Sequence, residues 1–539
     1  MMLVARMSRI VFSIGVVAYL LGGASSARAQ STTTYGSGGS SNTFTGGTIA
    51  PGDTVLLNDG ATVTGDVTAD GTLQFNQSAG NTLTISNLIS GTGTLSLTNT
   101  GTLNLTGTSG AANTVVLDMT TSASSGVLQM NAASGNLWVG GSGTGTLNMT
   151  GGRVSNSTGL LGFSAGSVGT ATVSSGTWAT SGDLTVGRNG TGTLIVTGGY
   201  VSNVNGFIAA STGSVGTATV STGTWANSGN LTVGGASRGG TGTLTMNGGL
   251  VIVGGTLSKN AASTINLNTG GTLQIGVGGV SGVLGVSTLT NNGTLIFNRS
   301  GTSTYSGVLS GSGTVTKQAA GLLTFAGANS YSGLTTISAG TLALSGTGSI
   351  GTGGVNLGTT GSPGVFDLLG LTASSYSLPA TGNLAGVGAL SGNGKSLAVL
   401  GSFLPGNSPG TVTLGSGFTL DLSSSGSSVF EITSPAYTAG TYDLVSGDGS
   451  VVFGGILNLA FSGGSYANGT DVLQLFANTG GRSGNFSAVN ATGLEAGQSA
   501  TFNPATGFIT VVPEPSTCAS LLAGLAYGGS VVFRRRRAH

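Results

Sequence analysis

Apolar and polar residues alternate with a period of two along most of the chain, in short runs broken by glycine. Segments such as Thr146-Leu147-Asn148-Met149 and Thr170-Ala171-Thr172-Val173 place every second side chain on one face, which predicts half-buried β-strands. The pattern also recurs over longer distances. GTGTLNMTGGRVSN at Gly143 returns as GTGTLIVTGGYVSN at Gly190, 47 residues on, and as GTGTLTMNGGLV at Gly240. SVGTATVSSGTWATSGDLTVG at Ser167 returns at Ser214. Gly145, Gly169 and Gly192 divide the 47-residue unit into halves of 23–24 residues, each with three short strand patterns. Tandem units of this length predict a parallel β-helix, a β-solenoid in which one half-unit is one coil.

Stacking the coils yields columns of like residues. The first strand gives Leu147, Ala171, Leu194, Ala218 and Leu244, then Met149, Val173, Val196, Val220 and Met246 two positions on. The second gives Val154, Trp178, Val201, Trp225 and Val251, and the third Leu160, Leu184, Phe207, Leu231 and Leu257. All are apolar, so all are expected to point inward. Both tryptophans are therefore expected in the core, with Ala171 making room for Trp178; the rival reading is an exposed, sugar-stacking ladder. The alternate Thr, Ser and Asn positions would form the outer faces.

The clearest repeats span 136–260, within a solenoid region of 30–350. At ~4.8 Å per coil, some 300 residues would build a rod on the order of 60 Å. Residues 351–512 carry longer strand patterns with more aromatics, such as SSVFEIT and GTYDLVSG, after a PGNSPGT turn at Pro405. They read as a β-rich capping region, either wider final coils or a small sandwich, that would cover an otherwise open sheet edge.

Within this frame, Gly321–Ser345 (GLLTFAGANSYSGLTTISAGTLALS) resembles the autotransporter-associated β-strand repeat, and 281–345 follows the same theme. The resemblance implies a passenger-like β-helix. No closing run of amphipathic barrel strands follows, so the chain resembles a passenger without its own translocator.

Composition narrows the chemistry. Gly accounts for 104 of 539 residues and only 5% are charged. The formal charge of +1 misleads, because Arg6, Arg9, Arg28 and Arg534 to Arg537 lie in segments that read as targeting signals. Without those seven arginines, eight cations stand against fourteen carboxylates, near −6, which argues against a nucleic-acid partner.

The first segment, 1–29, has Arg6 and Arg9 before an apolar Ile10–Leu21 stretch, then Ala27-Arg28-Ala29. This is the layout of a signal peptide cut after Ala29, leaving Gln30 first, and implies the Sec export machinery as a partner. The last segment, 513–539, runs Pro513-Glu514-Pro515, an apolar stretch Cys518–Phe533 and Arg534-Arg535-Arg536-Arg537. It reads as a short hydrophobic helix inserted transiently in a membrane with the arginines inside. The layout resembles the PEP-CTERM sorting signal, which implies recognition by an exosortase-type membrane protease and delivery to the cell surface or extracellular matrix. Exopolysaccharide and biofilm association follow from the same resemblance.

Inventory excludes much catalysis. The one cysteine, Cys518, and the one histidine, His539, lie in the final segment, so the body has no Cys–His or Ser–His nucleophile system and no ordinary zinc site. No cofactor or metal is expected, although incidental calcium binding stays open. A carboxylate pair is the one remaining catalytic route, with Asp59, Asp66 and Asp70, or Asp443 and Asp448 beside Glu431, as candidates. Asp59, Asp66 and Asp448 stand in turn contexts, and Asp183 becomes Asn230 one repeat on. The expectation is a non-enzymatic structural or adhesive surface protein. Its alternatives are a carbohydrate-active enzyme, or a glycan-binding protein using Tyr200, Tyr331 or Tyr442.

Overall fold

The computed structural model describes residues 30–514 apart from 88, 92, 98–101, 106–113, 118–119, 124–126, 131–134, 236–238, 407–408, 439 and 470–471. The described residues form an all-β parallel solenoid, and among them there is no helix. The expected C-terminal hydrophobic helix and the signal peptide lie outside the described residues. Among the described residues, no helix is long and apolar enough to cross a membrane.

One ladder of parallel strands passes without a break from Thr82–Ile85 to Ala488–Thr492. Its seventeen steps, at ~4.8 Å each, make a rod of roughly 80 Å. In the repeats each coil contributes to three ladders. Thr144–Asn156 and Val168–Thr180 each serve the first two by running through a corner, and Thr158–Leu161 and Leu184–Val186 belong to the third. The register advances by one half-unit per coil there, as expected, from Thr146 to Thr170 and on to Thr193.

The first two sets of columns are those expected, and their members are buried in the core. Trp178 and Trp225 are completely enclosed, so the sugar-stacking alternative for them is excluded.

The third column differs by one residue at two positions. Its inward members are Leu137, Gly159, Leu184, Gly206, Leu231 and Leu257. Leu160 and Phe207 are instead in register with Trp138 and Thr185 on the outer side. The glycines face inward because the indoles already occupy the space. A Cβ on Gly159 would lie 3.1 Å from Trp178 Cζ2, and one on Gly206 would lie 3.1 Å from Trp225 Cζ2. Volume is thus balanced between neighbouring coils, as close packing requires.

Beyond 350 the parallel ladders continue. Short coils, in which Val315 pairs with Thr335 and Thr335 with Val355, give way to longer ones, in which Ser427 pairs with Ile456 and Thr413 with Ser446. Of the two forms considered for 411–512, the chain thus adopts wider coils. A larger cross-section needs larger fillers, and Phe403, Phe430 and Phe476 supply them with ring centroids 6.0 and 5.1 Å apart. The chain closes in an antiparallel sheet of Val472–Gln474, Phe508–Pro513 and Gln498–Asn503. Phe502 of this sheet packs edge-on to Phe453 and Phe486, both at 5.1 Å, which covers the end of the stack.

Candidate functional site

The residues singled out for processing lie at the ends of the described chain. Gln30 is exposed and lies two residues before the first strand residue, Thr32 of Thr32–Tyr35. Pro513 ends the final strand and is paired with Gln498, and the N–H of the exposed Glu514 donates to the Gly497 carbonyl at 2.8 Å. Ala27, Ala29, Pro515 and Arg534 to Arg537 lie outside the described residues.

The candidate acidic residues are tied into the scaffold, Asp59, Asp443 and Asp448 through their carboxylates and Asp66 and Asp70 through their main chain. Asp59 accepts the Ser78 N–H of the next coil at 2.7 Å, and hydrogen bonds from Ser78 hold its carboxyl below the ordinary range. The Asp66 carbonyl accepts the Gly47 N–H at 2.8 Å, and the Asp70 N–H donates to the Ile49 carbonyl at 3.0 Å, so both sit within coil-to-coil backbone bonding. Asp448 accepts the Thr479 hydroxyl at 2.8 Å.

Asp443 has a different role. It is almost fully buried, with Oδ1 accepting the Gly410 N–H and Oδ2 the Glu431 N–H, both at 2.8 Å. It therefore fastens Gly410, just before the strand Thr411–Leu414, to the strand Ser427–Ile432. Nearby Gly406 has φ +99, and a Cβ there would collide with Asp443 Oδ1, so glycine is required on both counts. Burial pushes the Asp443 carboxyl up to about 7, against the pull of its two N–H donors. Asp443 and Glu431 thus do converge, as sequence reasoning allowed. They do so through the Glu431 main-chain N–H, and each Asp443 oxygen accepts one main-chain bond.

Sequence reasoning missed two buried cations. Lys317 stands in an inward column between Phe297 and Ile337, and its ammonium donates to the carbonyls of Gln318, Ala319 and Ala339 at 2.8, 2.7 and 3.3 Å. Burial, aided by the Arg299 charge, lowers its pKa to about 8. Arg299 caps the carbonyls of Gly282, Val280 and Thr302 in the same manner. The available signal was a single cation at an apolar place in the alternation TVTKQ.

The same segment holds Tyr331, which is fully buried with its hydroxyl 2.7 Å from Thr335 Oγ1, and Asn329, which accepts the Leu309 N–H at 2.8 Å and donates to the Ser349 carbonyl at 2.7 Å. Tyr331 is therefore a packing residue, and its proposed glycan-facing role is withdrawn. Tyr442 is half-buried and bridged to Ile432 by its backbone, while Tyr200 is exposed.

The lateral faces carry the accessible chemistry. On the outer side of the third ladder, Trp138 and Phe163 stack at 3.7 Å, both half-buried. The first ladder is different. Thr32, Thr54, Thr72, Thr94, Thr120, Thr146, Thr170, Thr193, Thr217, Thr243 and Thr264 follow one another in backbone register, eleven threonines in one column.

Comparison with known proteins bears on the segment around Lys317 and Tyr331. Residues 315–344 match the family described as the passenger-associated-transport repeat. The match includes Lys317, Asn329, Tyr331 and Thr335, so the repeat's polar and aromatic residues serve coil packing here. Over 82 residues, 15% of its length, the chain is 55% identical to the adhesin BmaC autotransporter of Brucella suis biovar 1 (strain 1330). The aligned part spans 2% of that protein. The chain therefore contains autotransporter-type β-strand repeats.

Proposed function

We propose that the protein is an exported, passenger-like β-solenoid that acts outside the cell as an adhesive or structural rod and is not an enzyme. The observation that carries this is the passenger-associated repeat at 315–344, built into a continuous solenoid. The similarity to an autotransporter adhesin supports the same reading. The scaffold-bound carboxylates favour a binding surface over a catalytic cleft. Within this proposal, residues 1–29 direct Sec export and 513–539 form an exosortase-processed sorting signal. An exopolysaccharide matrix is the destination, and the solenoid of 30–350 with its capping region of 351–512 is the functional body.

The test is attachment. Cells with an in-frame deletion of the gene should lose attachment to matrix or to abiotic surfaces, and added purified protein should restore it. Unchanged attachment, with the protein inaccessible to protease on intact cells, would sink the proposal.

A further inference from the structure

In the repeat region the first ladder presents a regular two-dimensional array. Its outward positions form five rungs of three residues: Thr144, Thr146, Asn148; Val168, Thr170, Thr172; Thr191, Thr193, Ile195; Val215, Thr217, Thr219; and Thr241, Thr243, Thr245. Fourteen of the fifteen are β-branched, eleven are threonine, and none is charged or aromatic. None is buried; Val168, Val215 and the threonines at 144, 191 and 241 are exposed and the others half-exposed. Pairing across these rungs is in register, with no bulge until Thr150. The array therefore repeats at ~4.8 Å along the rod and ~6.6 Å along each strand, over roughly 19 by 13 Å. β-Branched side chains are stiff at χ1, so hydroxyls and methyls are held in fixed positions before any ligand arrives.

We infer that this threonine face binds ice. Three features select that occupant. An uncharged face gives no purchase on a mineral or an anionic polymer. A face without aromatic rings gives no stacking platform for sugar rings. Pressing eleven hydroxyls against a second copy of the chain would strip them of water and cost free energy wherever one went unpaired. Against ice the partner is water itself, so each hydroxyl keeps a hydrogen bond. The methyl groups between them order the adjoining water in a net with the array's own spacing. The lattice of ice offers oxygen rows at repeats of a few ångströms, which the preorganised threonines can join. This activity goes beyond the adhesive reading and stands or falls separately from it.

The test uses the full chain, labelled fluorescently and offered to a growing ice crystal, with thermal hysteresis measured alongside. The expected result is incorporation into the ice and a gap between melting and freezing points. Thr193→Lys with Thr217→Lys should be rejected by the ice while keeping the wild-type circular dichroism and unfolding midpoint. Thr232→Lys, on the outer side of the third ladder, should be incorporated as wild type. Rejection of the wild-type protein, or equal incorporation of the array variant, overturns the inference. So does rejection from ice with retention on microcrystalline cellulose or chitin, which would assign the face to a neutral polysaccharide.

Discussion

The indole N–H of Trp178 donates to Asn156 Oδ1 of the preceding coil at 2.7 Å, inside the core. The bond returns one repeat later between Trp225 and Asn203, also at 2.7 Å. The second copy extends further, since Asn203 donates to Asn227 Oδ1 at 2.7 Å and Asn227 to the Ile252 carbonyl at 3.3 Å. A polar thread thus runs through an apolar interior and ties neighbouring coils together in register. Replacing Asn203 by Leu removes an acceptor and a donor at once and leaves the Trp225 N–H and Asn227 Oδ1 unpaired. The expected loss is about 1–3 kcal/mol for each group left unsatisfied, measured as a lower denaturant midpoint with tryptophan fluorescence as the probe.

Gly206 makes the same point from the side of volume. An added Cβ would collide with Asn227 Oδ1 and come within 2.7 Å of Leu231 Cδ1. Gly206→Ala should destabilise by about 1–3 kcal/mol, the usual cost of overpacking. Gly213→Ala tests a different cause, because nothing lies within 4 Å of a Cβ there and its cost comes from φ +77 alone. Pairing Gly206→Ala with Trp225→Leu should recover part of the loss, and a double-mutant cycle measures the recovery.

Lys317 holds three carbonyls from inside the core. Lys317→Met keeps the apolar stem and removes the donor, and should cost about 1–3 kcal/mol. Hydrogen exchange should show the loss concentrated in the coils containing 315–344.

Asp443 gives the rod a pH dependence. Its ordinary pKa of 3.8 is raised to about 7 in the folded protein. The folded state then holds the proton more tightly than the unfolded state. Asp443 therefore favours folding most below its unfolded pKa, and this contribution is lost as pH rises through about 7. Urea midpoints compared between about pH 4 and about pH 8 should fall for wild type and change less for Asp443→Asn.

The columns legible in the sequence were those with an apolar residue in every coil. Leu147, Ala171, Leu194 and the Val154–Trp178 series were placed correctly because their strands are long enough for alternation to fix the inward side. The third strand is short, as in Leu184–Val186, so its phase hung on single residues. Glycine has no side chain to mark the inward phase, so at Gly159 and Gly206 the adjacent Leu160 and Phe207 took their places in the column. The row Leu161, Val186, Ile208 and Val233, also buried, carried the correct phase. The aromatic-rich segment after 411 looked like a change of architecture, and the cause is a widening coil that needs phenylalanine to fill it. Asp443 and Lys317 were illegible as staples because their partners are main-chain groups, which leave no mark on residue identity. The threonine column was hidden by unequal coil lengths, since the step from Thr54 to Thr72 is much shorter than the step from Thr94 to Thr120.

The most direct test of the central claim, that this solenoid works outside the cell, is the intact mass of the protein recovered from the surface of its native cells. The account predicts a chain that begins at Gln30 and ends near Pro513-Glu514-Pro515. A protein found only inside the cell with residues 1–29 still attached would contradict it.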